Sequence, residues 1–316
     1  MQTIWPALHG RRALKGQHRY QRERWQTPDQ DFIDVDWLKA TEPDTASNAN
    51  KRPLMVLFHG LEGSSHSHYA LAFANHAHRR GWDYAVPHFR GCSGEINWAP
   101  RAYHSGDYHE VDWILQNLRR VHAGPIHAVG VSLGGNALLR WAEEAGEAAC
   151  RSVTSVSAIC APIDLAAGGW ALGRGFNRLV YTPMFLNTMK PKAMQKLRQH
   201  PGLFSADALK KVRTIYEFDN VFTAPLHGFR NTDDYWARAS AKPLLQSIRV
   251  PTLLIHARND PFVPASSLPE QHDVSGHVTL WQPQEGGHVG FASGLPPGHL
   301  RCLPDRVGQW MRELNA

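Results

Sequence analysis

The sequence predicts an α/β protein: a mostly parallel twisted sheet with helices on both faces and a helical cap insertion. Two observations support this. Short apolar strands alternate with helical patterns along the chain, and only residues 164–240 break the alternation, with a run of helix formers, aromatics and prolines. Near-continuous apolar strands separated by helices are typical of parallel sheets covered on both faces. We therefore predict a single domain over residues 1–316, with 164–240 as a helical cap inserted between two strands.

The elements follow one another in a regular order. Residues 20–40 predict two strands joined by a turn at Pro28-Asp29. Two helical patterns follow, YALAFANHAHRRG (69–81) and DYHEVDWILQNLRRV (107–121). The predicted apolar strands are PLMVLFHG (53–60), DYAVPHFRG (83–91), IHAVGVS (126–132), SVTSVSAICAP (152–162), PTLLIHARND (251–260) and HVTLWQPQ (277–284).

Charge is unevenly distributed along the chain. The formal net charge of +6 comes from 34 basic and 28 acidic side chains. Residues 186–213 alone carry seven basic side chains against one acid, Asp207. No zinc-knuckle or RNA-recognition signature accompanies this charge, so we expect no nucleic-acid partner and interpret the stretch as a solvated helical face.

Targeting signals and cysteine pairs are both missing from the sequence. No apolar stretch approaches the roughly 20 residues that span a bilayer, and the first residues lack the apolar core of a secretory signal. We therefore predict a cytoplasmic protein. The four cysteines form no CxxC pair, so reduced thiols are expected rather than disulfides or a zinc site. They are Cys92, Cys150, Cys160 and Cys302.

Ser132 is the candidate nucleophile. It lies in GVSLGG (130–135), where an apolar strand ends and the helical pattern GGNALLRWAEE begins. A Gly-x-Ser-x-Gly turn between a strand and a helix is the context of a nucleophile elbow, because the glycines remove side chains that would collide with the neighbouring elements. The sequence offers no Lys-Ser/Thr for a phosphate-binding loop, and a serine replaces the second glycine of a dinucleotide fingerprint. The alternative is an ordinary strand-to-helix connection.

A serine hydroxyl needs a base, and the base needs an orienting acid. Among nineteen histidines we select His288, which lies in the glycine-rich loop QEGGHVGF (284–291) after the last strand. His256 is expected inside a strand as a buried, hydrogen-bonded residue. The acid is assigned to Asp260, which ends a strand before Pro261; a simple Asx turn is the alternative there. Asp164, at another strand end, is the reserve candidate.

Two backbone amides are candidates for the oxyanion hole. The amide of Leu133 lies at the start of the helix after Ser132, and the amide of Leu61 lies in the loop HGLEG (59–63) after the first parallel strand. His59 is expected to brace this loop by hydrogen bonding. We predict no metal or organic cofactor. The histidines near the first helical pattern have no nearby Cys or carboxylate pattern to complete a metal site; they are His66, His68, His76 and His78.

Several of these motifs together resemble one family. FHGLEGSSHSHYA, HFRGCSGE, GVSLGGN, DNVFTAPLHGF, ARNDPFVP and EGGHVGF are similar to the YheT-like branch of the α/β-hydrolases, over about residues 4–312. That branch includes bacterial proteins assigned as esterases and eukaryotic ABHD-type lipid hydrolases. The resemblance implies an α/β-hydrolase fold, and its Ser…Asp…His chain order maps a catalytic triad onto Ser132, Asp260 and His288.

The expected activity is that of a serine hydrolase that cleaves carboxylic esters of acyl or lipid-like substrates through an acyl-enzyme. Two alternatives stay open: an acyltransferase that uses the same acyl-enzyme, and a non-catalytic protein that binds a hydrophobic ligand. The partner expected is a small-molecule acyl ester, and no obligate protein partner is evident.

A weak peripheral contact with anionic membrane is a further expectation. It rests on residues 185–204, where Lys190, Lys192, Lys196 and Arg198 stand among apolar side chains. Pro191 and Pro201 are expected to break this stretch into at best a short amphipathic helix. Most of its apolar residues are expected to pack on the rest of the protein.

Overall fold

An eight-stranded sheet forms the centre of the structure, a computed structural model that describes residues 3, 19–40, 52–294 and 298–314. The strand order is β1-β2-β4-β3-β5-β6-β7-β8. Strands β1 and β2 pair in antiparallel fashion, as do β2 and β4, and all later pairs are parallel. Every strand predicted above is confirmed. The strands are β1 Gln21–Gln26, β2 Phe32–Leu38, β3 Leu54–Phe58, β4 Asp83–Pro87, β5 Ile126–Val131, β6 Ser155–Ile159, β7 Thr252–Ile255 and β8 Val278–Trp281.

Helices follow most of the strands and fill the segment between β6 and β7. A π-helical turn, Asp219–Thr223, joins two of the short helices. Within the described ranges, no helix combines the length and the apolar character needed to cross a membrane. The α-helices are α1 His68–Arg79, α2 Tyr108–Val121, α3 Leu133–Ala145, α4 Ala149–Ser152, α5 Leu165–Leu172, α6 Gly175–Gln199, α7 Ala206–Lys211, α8 Ile215–Phe218, α9 Ala224–Leu226, α10 Thr232–Ala239 and α11 Cys302–Glu313.

The central strands of the sheet are buried on both faces, as their apolar sequences predict. In β3, Leu54, Val56 and Phe58 belong to one core with α2 and α3. The alternate residues Met55 and Leu57 belong to a second core with α1 and α11. Successive strand side chains point to opposite faces, so a strand with both sets buried must be covered on both sides. The predicted α/β class is confirmed.

Residues 164–240 form helices that have a core of their own. Buried side chains of α5, α6, α8 and α10 pack together, and Leu61 from the loop after β3 packs against them. This segment therefore lies against the loop that follows the first parallel strand. Parts of the predicted 1–316 domain lie outside the described residues. They include most of the first 18 residues, for which the sequence predicts no secretory signal.

The expectation that Pro191 breaks the helix is wrong. Helix α6 runs without interruption from Gly175 to Gln199 and contains both Pro183 and Pro191. A proline leaves the carbonyl four residues earlier without its helical partner. The exposed side of α6 carries both prolines. It also carries Leu179 and Asn187, the residues four positions before them, so water can satisfy the freed carbonyls. The helix ends just before Pro201, as expected.

The lysines of α6 also differ from expectation. Lys196 is buried and its ammonium donates to the carbonyls of Asn97 and Ala99. Lys190 is half-buried and donates to two carbonyls near the end of α7, while Lys192 pairs with Glu62 at 2.8 Å. The solvated basic face predicted for this stretch is therefore wrong for these three lysines, because protein acceptors hold them. The apolar side chains Leu186 and Met189 are buried, as expected for most of this stretch.

Candidate active site

Ser132 stands on a sharp turn between β5 and α3. Its backbone is in an unusual region for a residue with a side chain, with φ 53° and ψ −120°. The turn is tight: a Cβ at Gly130 would lie 2.5 Å from the Gly134 carbonyl oxygen, and one at Gly134 would strike the carbonyls of Phe58 and His59. Side chains at these two positions would push α3 away from the sheet. The glycines therefore allow the close approach that raises Ser132 above the end of β5.

The structure brings Ser132, His288 and Asp260 together in one hydrogen-bonded chain. His288 Nε2 lies 3.0 Å from Ser132 Oγ, and His288 Nδ1 lies 2.8 Å from Asp260 Oδ2. The tautomer that satisfies both contacts has the Nδ1–H donating to Asp260 while Nε2 accepts from the serine hydroxyl. This is the arrangement in which an imidazole can take the hydroxyl proton.

Asp260 is fixed on both of its oxygens. While Oδ2 faces His288, Oδ1 accepts from the amides of Phe262 at 2.8 Å and Val263 at 3.2 Å. Burial by itself raises the pKa of this carboxyl, but the charge and hydrogen bond of His288 and the Phe262 amide hold the pKa below its usual value. Asp260 therefore forms the Asx turn weighed above and faces the imidazole at the same time.

The reserve acid, Asp164, has a different place in the structure. Its carboxylate caps the start of α5 and accepts from the amide of Ala167 at 2.9 Å. An aspartate at this position satisfies an otherwise unpaired helix amide. The geometry therefore favours Asp260 as the partner of His288.

Leu61 and Leu133, whose amides are expected to form an oxyanion hole, border the same cavity as Ser132 and His288. Leu133 is the first residue of α3, so its amide has no partner within the helix. The loop that carries Leu61 is held from several sides: Tyr69 Oη accepts from the Gly60 amide, and Tyr103 Oη accepts from the Glu62 amide, both at 2.9 Å. Among the described residues, no backbone hydrogen bond uses the Leu61 or the Leu133 amide.

His59 braces this loop, as expected. Its Nδ1 lies 2.8 Å from the carbonyl oxygen of Gly60, and its Nε2 accepts from the amide of Phe89 at 3.1 Å. Burial, with the nearby charge of His88, lowers the pKa of His59 to about 3. The ring therefore stays neutral and joins the loop to the loop after β4. His256, which lies one residue beyond the end of β7, is also buried, and its Nε2 contacts the carbonyl of Ala161.

One group of side chains within the described residues has the spacing of a metal site. The ligand atoms of Cys160, Asp260 and His288 lie within 4.8 Å of one another. The donor set does not fit a metal well, because the imidazole and the carboxylate already bind each other. Burial and the charge of Asp260 also raise the pKa of the Cys160 thiol well above 9.0, and a metal binds the thiolate. The histidines weighed above as ligands do not form such a group among the described residues; His76 instead pairs with Asp305.

Two apolar cavities meet at Ser132 and His288. The first lies under α5, α6 and α10, and its walls include Leu165, Leu172 and Trp236. The second lies beside the first half of α6, and its walls include Val180 and Met184. Phe185 and Phe262 border both cavities, and the Phe262 ring lies 4.3 Å from the His288 ring. The reactive groups are therefore enclosed on two sides by apolar surface.

Sequence reasoning did not identify the residues that hold the site together. Tyr69, Tyr103 and Lys192 anchor the Leu61 loop from three different parts of the chain. Cys160 has φ 48° and its sulfur accepts from the amide of Val289 in the His288 loop at 3.4 Å. Tyr103, Lys192 and Cys160 act on partners far away in the chain. Tyr69 lies within FHGLEGSSHSHYA, but nothing in that motif shows that its hydroxyl contacts the Gly60 amide.

The comparisons with known proteins agree with this geometry. A family model described as alpha/beta hydrolase fold matches residues 53–295. YheT of Escherichia coli (strain K12), an esterase by name, is 39% identical over 98% of this chain and 89% of its own. Phospholipase ABHD3 of Mus musculus is 29% identical over 91% of this chain and 70% of its own. The esterase Pf2001 of Pyrococcus furiosus has a TM-score of 0.57 at 16% identity, over 96% and 94% of the two chains, a likeness of fold alone.

Proposed function

Since the chain belongs to the α/β-hydrolase family, in the branch of YheT, we propose that this carboxylic ester hydrolase cleaves acyl or lipid-like esters through an acyl-enzyme on Ser132. One observation carries the proposal. The hydrogen-bonded chain from Ser132 through His288 to Asp260 lies where two apolar cavities meet.

The reaction proceeds in two steps. Ser132 Oγ attacks the ester carbonyl carbon while His288 Nε2 takes its proton, and Asp260 stabilises the resulting imidazolium. The amides of Leu61 and Leu133 stabilise the oxyanion. The tetrahedral intermediate then collapses, and the alcohol leaves with the proton from His288. Water next attacks the acyl-Ser132 ester with His288 again as the base, and the carboxylic acid is released.

The two cavities indicate the substrate class. An ester bound at Ser132 extends in two directions from its carbonyl carbon, and each cavity offers a largely apolar wall in one direction. An acyl chain therefore replaces water against apolar side chains, at about 0.8 kcal/mol per buried CH₂. Substrates with apolar groups of several carbons are expected to react faster than acetyl esters. The relative named phospholipase ABHD3 supports a lipid-like substrate.

A series of nitrophenyl esters of increasing acyl length tests the proposal. We expect hydrolysis by the purified protein, with kcat/KM rising with chain length. Gly168 borders the first cavity, and a Cβ there would meet its nearest neighbours at an ordinary 3.4 Å. In Gly168→Leu the larger side chain should occupy that cavity and lower kcat/KM for long esters by about tenfold, with little effect on the acetyl ester.

Gly173→Leu is the matched control, because Gly173 follows the same helix and does not border either cavity. It should retain the wild-type chain-length profile. No hydrolysis of any ester by the folded wild-type protein would contradict the proposed function. Esters that form only when an alcohol is added would indicate an acyltransferase instead.

A further inference from the structure

The first half of α6 presents an apolar face to solvent. Phe176 is 60% exposed, Leu179 77%, Val180 38% and Met184 53%. Their spacing places them on one side of the helix. Together with Trp170 they are five of the nine exposed large apolar side chains among the described residues, all within residues 170–184. We call Phe176, Leu179, Val180 and Met184 the docking face.

This face is continuous with the candidate active site. Val180 and Met184 border the second cavity, which reaches Ser132 and His288. A line of aromatic contacts follows the same path: Phe176 packs on Tyr181 with ring centres 6.0 Å apart, and Tyr181 packs on Phe262 at 4.6 Å. Phe262 in turn contacts the His288 ring. An apolar molecule that leaves a surface at the docking face therefore meets apolar groups all the way to the nucleophile.

The stretch of chain that carries the docking face has charge of one sign. Residues 165–206 contain six basic and no acidic side chains. Arg174 and Arg178 are exposed and lie within one helical turn of Phe176 or Leu179. A second copy of this chain at the same face would bring four of these arginines together, and their like charges would oppose the contact. An anionic surface with an apolar interior complements both the charge and the exposed side chains.

We propose that the docking face binds anionic lipid surfaces and delivers ester substrates from them into the second cavity. The delivery rests on the function proposed above, whereas the binding does not depend on it. The inference also relocates the membrane contact expected from the sequence. That contact was assigned to the lysines of residues 185–204, which protein acceptors hold; the docking face lies earlier in the same helix.

Co-sedimentation with vesicles tests the binding directly. The vesicles consist of phosphatidylcholine, with or without phosphatidylglycerol, at low and high salt. The wild-type protein should bind the anionic vesicles more tightly, and added salt should weaken that binding. The double variant Phe176→Ser, Leu179→Ser should bind vesicles at least about tenfold more weakly, since two apolar side chains no longer enter the lipid. Arg174→Gln, Arg178→Gln should remove the preference for anionic vesicles.

Two controls separate this face from general surface effects. Leu244→Ser changes an exposed apolar side chain in the turn Lys242–Ser247, and Arg198→Gln changes an exposed arginine at the far end of α6. Both should bind vesicles as the wild type does. All variants should hydrolyse a dissolved acetyl ester at the wild-type rate, because none of these residues borders either cavity. A rate retained on this ester also shows that the variant is folded.

Several results would overturn the inference. They are equal binding to neutral and anionic vesicles, wild-type binding by the double serine variant, and equal losses in the controls. A concentration-dependent dimer that the double variant abolishes, without vesicle binding, would assign the face to a second copy. Ser132→Ala should still bind vesicles, so failure of the proposed hydrolysis and failure of the docking are seen separately.

Discussion

At the residue scale, Ser132 is held in a conformation that costs energy. A non-glycine residue with φ 53° and ψ −120° stores about 1–3 kcal/mol of backbone strain. The surrounding glycines, and the hydrogen bond from the Ser132 amide to the carbonyl of Ile159 at 2.8 Å, maintain it. The same conformation places Oγ within hydrogen-bonding distance of His288 and beside the first amide of α3. The strain is therefore best explained by the position that it gives the hydroxyl group.

The acid of the proposed triad is tested by two asparagine variants. Asp260→Asn keeps the shape of the site but turns an amide group toward His288 Nδ1, which favours the wrong imidazole tautomer; we expect ester hydrolysis to fall by about 10⁴-fold. Asp164→Asn should stay near the wild-type rate, because asparagine caps a helix as well as aspartate does. The measurement is kcat on one soluble ester, with circular dichroism to verify folding. A greater loss in Asp164→Asn would move the acid to that residue.

Sequence reasoning succeeds at the residue scale where chain order and strand ends carry the signal. Ser132, Asp260 and His288 each follow a predicted strand, and parallel strands bring those ends to one edge of the sheet. It fails for Tyr103 and Lys192, whose role depends on where a side chain from a distant part of the chain ends, and for Tyr69, whose hydroxyl reaches the Gly60 amide across a turn of the loop. Tyr103, for example, contacts Glu62 across 41 residues of sequence. No spacing in the chain encodes such a contact.

At the element scale, the helical segment 164–240 forms one wall of the candidate site. The π-helical turn Asp219–Thr223 contributes Asp219 to the border of the first cavity. Asp219 is 7% exposed and accepts from Thr223 Oγ1 at 2.7 Å and from Trp236 Nε1 at 2.9 Å. Burial raises its pKa from 3.8 to about 6, and these two hydrogen bonds offset part of the increase. A buried carboxyl therefore links the π turn to α10.

The raised pKa of Asp219 predicts how stability depends on pH. The folded state binds this proton more tightly than the unfolded state, so protonation stabilises the fold fully below pH 3.8 and this contribution is lost as the pH rises to about 6. Asp219→Asn has no such group. The free energy of unfolding of the variant, relative to that of the wild type, should therefore increase by about 3 kcal/mol as the pH rises from 3.8 to about 6. Urea unfolding at pH values on either side measures this; a difference that does not change with pH would contradict it.

Elements were predictable where one local signal dominates. The apolar runs identified all six later strands, because most of them are buried on both faces; β8 at the sheet edge is only partly buried. The continuity of α6 was not predictable, because the effect of Pro191 depends on which side of the helix faces water. The same holds for Lys196, whose ammonium lies against carbonyls of the loop after β4. Local sequence gives the charge of such a residue but not the acceptor that it finds.

At the scale of the whole molecule, the sheet, the helical segment and the charge distribution converge on one side of the protein. The strands deliver Ser132, Asp260 and His288 to the same edge, and α5, α6 and α10 enclose them with apolar walls. The acid-free stretch 165–206 includes Val180 and Met184, which border the second cavity, and the exposed Arg174 and Arg178. The chemistry that we propose and the surface that we propose for docking therefore use the same helix, α6, on its two sides.

The central claim, that Ser132 is an activated nucleophile, is tested most directly by a fluorophosphonate probe followed by peptide mapping. The probe forms a stable adduct with a serine that an adjacent base activates. We expect one adduct per chain, on Ser132, which Ser132→Ala abolishes and which Ser105→Ala, a change at another serine beside the first cavity, retains. An adduct that persists in folded Ser132→Ala, or no adduct on the folded wild-type protein, would contradict the account.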